Sequence, residues 1–410
     1  MKVRRLRFTP FLWLCFMGGL AIFSSTMSKN PALPLFIKSL HVPERTLGFI
    51  AAASTVTGIV TSIPAGVLSD VIGRRRVIWL SMLVFASAPF LYLLVMQPWQ
   101  LVLVRVYHGL ATAILGPVAL ATVADTFQSG RGERMAWYSS ATMVGRFVAP
   151  SVGGLLIVGN SFRWVYLGCG VAGVLALLAA TRLPAASEPR PVGQQQHSPR
   201  TRGSAWAATR NELRFLASNR PILLTAGMDA ALYFAFGAVE TFLPLYLTKR
   251  GFTPAEIGPL FTAQVVVTAL SKPAMGRLSD RLGRKVFIIA GLALGACAVL
   301  AMPWMSHWLL LGALISLFGL SVAVVTASTS ALVSDLSRAS AYGASLGVLS
   351  SIMDVGQSGG PMVVGLLVGA WGYQVGFGFV TVLLFAACAA FATLMPALKA
   401  NASAQVTAGR

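Results

Sequence analysis

A few charged side chains interrupt stretches that are otherwise apolar, and the chemistry of this chain is concentrated in them. Asp229, Glu240 and Asp354 are the acids; Lys29, Arg105 and Arg146 are the bases. A charge in an apolar medium costs several kcal/mol unless it is paired or hydrated. A carboxylate facing a cavity there takes up a proton when desolvated and releases it when a cation or open water arrives. Asp229 and Glu240 are 11 residues apart. On one helix that is about three turns, which puts both on one side about 16 Å apart along the axis. The three acids are therefore proton-coupling candidates, against the alternative of structural ion pairs such as Arg146 with Asp354. Lys29, Asn30, Arg105, Arg146, Tyr233 and Phe236 are candidates for lining a substrate cavity, with helix packing as the competing role for the aromatics. Arg105 is close to one end of its span, where a long side chain can instead snorkel to the interface. Its neighbour His108 reads as a packed or hydrogen-bonded residue, with a proton role as the alternative.

These residues sit in apolar runs near 11–37, 48–68, 77–96, 100–125, 136–159 and 163–183, then 221–248, 255–278, 286–304, 307–334, 341–369 and 373–396. Each approaches the roughly 20 residues that cross a bilayer core. Only 11% of the 410 residues are charged and 56% are hydrophobic, against about 25% charged in soluble domains. The expected fold is an all-α membrane protein with 12 transmembrane helices. The stretch at 184–219, rich in Pro, Gln, Ser and Arg, cannot build a core and reads as a linker. Its end, SAWAATRNELRFLAS, has the pattern of a short helix on the membrane surface, with a plain linker as the alternative. The start of the chain, basic then apolar, reads as an uncleaved first helix rather than a leader.

The net charge of +20 invites a nucleic-acid reading, but its placement argues for topology. Arginines crowd alternate segments, and the others keep only Lys38, Arg45, Arg163, Lys249 and Arg250. That asymmetry puts both termini and the linker in the cytoplasm. The four cysteines, Cys15, Cys169, Cys297 and Cys388, are isolated in apolar runs. They form neither a metal-binding spacing nor a disulfide framework.

The two halves repeat. Gly66-Val-Leu-Ser-Asp70-Val-Ile-Gly73-Arg74 recurs as Gly276-Arg-Leu-Ser-Asp280-Arg-Leu-Gly283-Arg284, an offset of 276 − 66 = 210. The same offset relates Gly48 to Gly258 and Asp125 to Asp335, and Pro150 matches Pro361 at 211. The repeat predicts two pseudo-symmetric six-helix bundles, 1–183 and 220–398, with a linker at 184–219 and a tail at 399–410. In such folds the substrate site is at the interface near the bilayer midplane.

The loop GVLSDVIGRRR and its copy resemble the signature between the second and third helices of the major facilitator superfamily. The resemblance covers essentially the whole chain. It implies a cytoplasmic gate of Gly66, Asp70, Gly73, Arg74 and Asp125, mirrored by Gly276, Asp280, Gly283, Arg284 and Asp335. The fourth span carries Arg105 and Gly109, similar to the family's RxxxG motif. In the fifth span, Gly145, Pro150, Gly153 and Gly154 resemble the GxxxGPxxGG motif of drug–proton antiporters, with Ala149 and Arg146 as departures. Many members of that branch carry an acid in the first helix, where this chain has Lys29. The resemblance implies a monomeric secondary transporter of the cell inner membrane, exporting small amphipathic compounds against protons without a cofactor or metal. A carrier of anionic metabolites, by export or uptake, is the alternative within transport. A membrane-embedded enzyme or sensor is the alternative outside it, but no nucleophile triad, phosphate loop or metal-ligand cluster occurs in the sequence.

Overall fold

The structure, a computed structural model, describes residues 9–126, 130–159, 161–183, 219–337 and 342–395. The linker, its surface-helix pattern and the tail lie outside the described residues. Thirteen α-helices and no strand occur among those described. They are α1 (Pro10–Lys29), α2 (Ala32–Ser39), α3 (Glu44–Ile72), α4 (Arg74–Tyr92), α5 (Pro98–Thr126), α6 (Arg131–Leu156) and α7 (Arg163–Thr181). The second half supplies α8 (Arg220–Lys249), α9 (Pro254–Leu282), α10 (Arg284–Ala301), α11 (Trp308–Leu336), α12 (Tyr342–Trp371) and α13 (Tyr373–Leu394). With α1 and α2 counted as one span, these are the twelve expected. Seven of them, α1, α5, α7, α8, α10, α11 and α13, are long and apolar enough to cross a membrane on those criteria alone. The others are diluted by charged ends and small polar residues; α4, for example, starts with three arginines.

The first span departs from expectation. Instead of one helix over 11–37 there are two, broken at Asn30-Pro31. Proline has no N–H to donate to the preceding turn. The corresponding position in the second half, at 241 − 31 = 210, is Thr241, and α8 runs unbroken through it. The two halves thus differ in helix continuity at matched positions. The start of α9 follows the sequence closely: the Glu256 N–H reaches Thr253 Oγ1 at 3.3 Å, and Glu256 Oε2 accepts from the Thr253 N–H at 2.8 Å, a reciprocal cap.

Packing sorts the chain into two compact units. One joins the described residues up to 183 with Gly237–Val265 and Gln357–Gly376, and the other holds those of His197–Phe236, Val266–Gly356 and Phe377–Arg410. The core of the first includes Met17, Ile78, Met82, Phe85 and Leu115; that of the second includes Ile222, Ala226 and Val333.

Within the first unit, two helix crossings carry the repeat in three dimensions. A Cβ added to Gly154 of α6 would collide with the Pro254 carbonyl of α9, and one on Gly258 would meet the Pro150 carbonyl at 2.5 Å. The same crossing recurs between α3 and α12: a Cβ on Gly48 would collide with the Pro361 carbonyl, and one on Gly365 would meet the Glu44 carbonyl at 2.8 Å. Only glycine lets backbones approach so closely. A hydrogen-bonded tie is duplicated too. Ser81 of α4 donates to the Ala111 carbonyl of α5 at 3.0 Å, and Ser321 of α11 donates to the Gly291 carbonyl of α10 at 2.8 Å. The paired positions match, 291 − 81 = 210 and 321 − 111 = 210, but the serine has changed helices.

Candidate functional site

The break after α1 leaves Lys29 and Asn30 at a bend, beside a cavity in the first unit. Its lining comes from α1 (Lys29), α2 (Leu33, Pro34), α3 (Ala51, Ala52, Thr55), α5 (Arg105), α8 (Gly237, Glu240, Thr241) and α12 (Gln357, Pro361), around about 40 Å³ of space. Interrupted helices are tolerated at membrane depth where they line such a cavity. Glu240 is the one acid in the lining, against Lys29 and Arg105. Asn30 Nδ2 donates to Glu240 Oε1 over a long 3.4 Å. The Gln357 amide is a second hydrogen-bonding neighbour, and Lys29 and Arg146 act on Glu240 electrostatically.

Arg105 does not snorkel. It is 2% exposed, and its Nη2 donates to the Ala51 carbonyl of α3 at 2.6 Å. One turn on, Gly109 lets α5 approach Ser54 of α3, where a Cβ would meet the Ser54 carbonyl at 2.7 Å. His108 is packed among aromatic rings, edge-on to Phe85 and Tyr92, with Nδ1 3.3 Å from the Tyr92 hydroxyl.

Of the proposed cavity residues, Lys29 and Arg105 line this space and Asn30 adjoins it; of the proton-coupling candidates, Glu240 lines it. Arg146 is exposed and lies outside the lining. Tyr233 and Phe236 belong to the second unit, where their rings are 5.7 Å apart. Asp229, also there, is 2% exposed and accepts a hydrogen bond from Thr329 Oγ1 of α11 at 2.9 Å. Asp354 lies on α12, partly buried. Sequence reasoning missed Thr55, Thr241 and Gln357. Gln357 had one signal, its repeat position: 357 − 146 = 211 makes it the counterpart of Arg146.

In the fifth-span motif, Gly145 packs against the Gly19 carbonyl of α1, Gly153 against Met27, and Gly154 against α9. At the opposite helix ends, Gly73 and Gly283 turn the chain with φ of 93° and 99°, a region L side chains rarely adopt. Arg284 bridges Asp280 at 2.6 Å and Asp335 at 2.5 Å. In the first-half copy, Gly66 lies within α3 and Gly73 and Arg74 are placed, while the side chains of Asp70 and Asp125 lie outside the described residues.

Membrane-length helices duplicated about a 210-residue offset, around a cavity that holds an acid against two bases, define a multi-pass membrane transporter of small molecules. The chain belongs to the Major Facilitator Superfamily, which matches it over residues 14–259 and 232–410, and it is accordingly a transporter and not an enzyme. Among curated relatives it is similar to Multidrug resistance protein 2 of Bacillus subtilis, 29% identical over 68% of this chain and 69% of that protein. It is also similar to the Quinolone resistance protein NorA of Staphylococcus aureus, 24% identical over 63% of this chain and 62% of the relative. Among solved structures, a bacterial homolog of the human lysosomal transporter Spinster aligns with TM-score 0.79 at 16% identity, over 93% of this chain and 95% of that one. The nucleoside transporter NupG, as its D323A mutant, aligns with TM-score 0.80 at 14% identity, over 95% of this chain and all of the other. At these identities the structural likeness establishes the fold.

Proposed function

We propose that this chain is a proton-coupled exporter of small amphipathic compounds, acting as a monomer in the cell inner membrane with both termini cytoplasmic. The observation that carries the reading is Glu240, a carboxylate in an intramembrane cavity opposite Lys29 and Arg105. A titratable acid among fixed cations lets protonation change the charge of the site, which is the physical requirement for coupling. The names of the relatives, multidrug and quinolone resistance, support export. The bundles are 1–183 and 220–398, joined by the linker at 184–219, with a tail at 399–410, and they rock around a central cavity in alternating access. Glu240 and Asp229 carry the protons, with Asp354 next. The Gly73 and Gly283 turns, with Arg74, Arg284 and the acids Asp70, Asp125, Asp280 and Asp335, form the cytoplasmic gate.

Proton-driven accumulation of a fluorescent amphiphile in inside-out vesicles tests this. The wild type accumulates the dye and releases it when the proton gradient is collapsed. The double variant Asp229→Asn, Glu240→Gln fails to accumulate it. Undiminished, gradient-dependent accumulation by that variant overturns the assignment of the proton carriers.

A further inference from the structure

Arg105 heads the fully buried side chains by size. Its Nη2 is used by the Ala51 carbonyl and the Tyr92 hydroxyl is a polar side-chain neighbour, but its Nε and Nη1 are buried without a hydrogen bond of good geometry among the described residues. A guanidinium carries five N–H donors and cannot shed its charge. A buried cation left so incompletely paired is costly, and among the described residues no ion pair joins Arg105 to an acid. The helical frame does not require this residue. Its repeat position is 105 + 210 = 315, and Ile315 fills it fully buried in the second half.

What surrounds Arg105 says what is missing. The cavity it lines holds about 40 Å³, room for roughly three water-sized groups. That is the size of a carboxylate, not of a whole amphiphile. Water could occupy the space but brings no countercharge. The lining has two cations, Lys29 and Arg105, to one acid, and Arg146 adds a third positive group acting on that acid. Glu240 is already engaged by the amides of Asn30 and Gln357. Thr55, Thr241 and Gln357 place neutral polar groups around the same space.

We propose that this cavity is an oxyanion subsite in which Arg105 receives a carboxylate of the transported compound, so that the cargo is an amphiphile bearing a carboxylate, anionic or zwitterionic. The inference rests on the reading of the cavity as part of the transport path. Arg105 is then the specificity residue, Lys29 adds to the field, and the apolar body of the cargo extends away from the subsite.

A matched series tests it on the full-length protein in lipid nanodiscs: 2-naphthoate, 2-naphthamide and 2-naphthylmethylammonium, with binding measured calorimetrically at pH 7. Charge-assisted hydrogen bonds to a buried guanidinium predict naphthoate binding roughly tenfold to a hundredfold tighter than the amide. In Arg105→Gln, naphthoate falls to the affinity of the amide while the amide changes by less than about twofold. Should that variant fail to fold, Lys29→Gln, expected to weaken naphthoate alone, supplies the same comparison. No binding of naphthoate, equal binding of all three probes, preference for the cation, or equal loss of all three in a folded Arg105→Gln overturns the proposal. The two readings fail separately. Proton-driven export of a cationic dye with no preference for carboxylates leaves the exporter standing and removes the subsite. Selective, Arg105-dependent naphthoate binding without gradient-driven transport does the reverse.

Discussion

The four glycines at the duplicated crossings set the distance between α3 and α12 and between α6 and α9, so an added methyl group should open the molecule in proportion to its overlap. Ordinary carbon–oxygen contact begins near about 3.4 Å. A Cβ at Gly365 meets the Glu44 carbonyl at 2.8 Å, and one at Gly258 meets the Pro150 carbonyl at 2.5 Å. Alanine therefore requires a retreat of about 0.6 Å at the first and about 0.9 Å at the second. The overlap is deeper at Gly154 and deepest at Gly48. Backbone carbonyls in helices cannot swing aside, so the cost is helix displacement, about 1–3 kcal/mol for a methyl inserted into a packed contact. That is a shift of roughly 5- to 150-fold between conformers, at 1.4 kcal/mol per tenfold. The reporter is a single cysteine at Thr241, buried in the cavity wall, in a background without the four native cysteines. It is labelled from the outside by a membrane-impermeant maleimide. Labelling should accelerate in the order Gly48→Ala, Gly154→Ala, Gly258→Ala, Gly365→Ala, from largest to smallest. Gly227→Ala is the control, because nothing lies within 4 Å of its added Cβ. Rates that match the control at all four sites, or that rank in the opposite order, refute the reasoning.

Two further outcomes follow from charges at the helix ends. Glu44 precedes the span that starts near residue 48; it accepts from Lys38 at 2.8 Å, lies 3.7 Å from the Lys249 ammonium and meets the Tyr373 hydroxyl at 3.4 Å. Burial raises its pKa, but the Lys38 hydrogen bond, its own backbone N–H and the charges of Lys38 and Lys249 outweigh that and leave it below the ordinary carboxylate value. A depressed pKa stabilises the fold above the unfolded value, about 4.3, and the benefit is lost as pH falls through the folded one. Glu44→Gln should therefore lower the melting temperature at pH 7, by an amount equivalent to about 0.5–1 kcal/mol for partly exposed partners, and the difference should vanish near pH 3. A deficit that persists at pH 3 contradicts this. At the other end, Asp280 and Asp335 have side chains 56% and 54% exposed, so Asp335→Asn should cost under about 1 kcal/mol in the same thermal assay. Its effect should shrink in 1 M salt; a large, salt-independent loss would mean the pair is not the solvated bridge described.

The twelve spans were legible because length and apolarity are local properties. The break in the first span was less so. Pro31 follows a polar stretch, Ser24 to Asn30, inside a run whose length reads as one span, and prolines such as Pro64, Pro150 and Pro244 leave their helices unbroken. The direction of Arg105 was not legible at all: a position near a helix end permits snorkelling or burial, and the choice depends on Ala51 offering a carbonyl from a distant helix. Thr55, Thr241 and Gln357 were invisible for a related reason. Small polar residues are common in membrane helices, and only tertiary register turns a few of them toward one space. Periodicity put Asp229 and Glu240 on one face of α8, yet that helix is long enough to pass from one compact unit to the other. A shared face did not make a shared site: Glu240 lines the cavity, and Asp229 bonds Thr329 elsewhere.

The contact between Asn30 and Glu240 joins two residues 210 positions apart, which is the repeat offset itself. Two repeat mates are thus in contact within the first compact unit. A symmetric chain would place like against like at such a point. Two acids there would repel each other in a medium of low dielectric, and two amides would leave nothing to titrate. One acid against one amide avoids both outcomes. The amide has an N–H to donate to a charged carboxylate and an oxygen to accept from a protonated one. Asn30 Oδ1 is buried and has no partner among the described residues, so the acceptor is present and unused. Arg146 and Gln357, matched at 357 − 146 = 211, likewise put a charge in one half and an amide in the other, and both act on Glu240. Broken symmetry at matched positions thus leaves one titratable carboxylate at this contact, with a neighbour able to bond it in either protonation state.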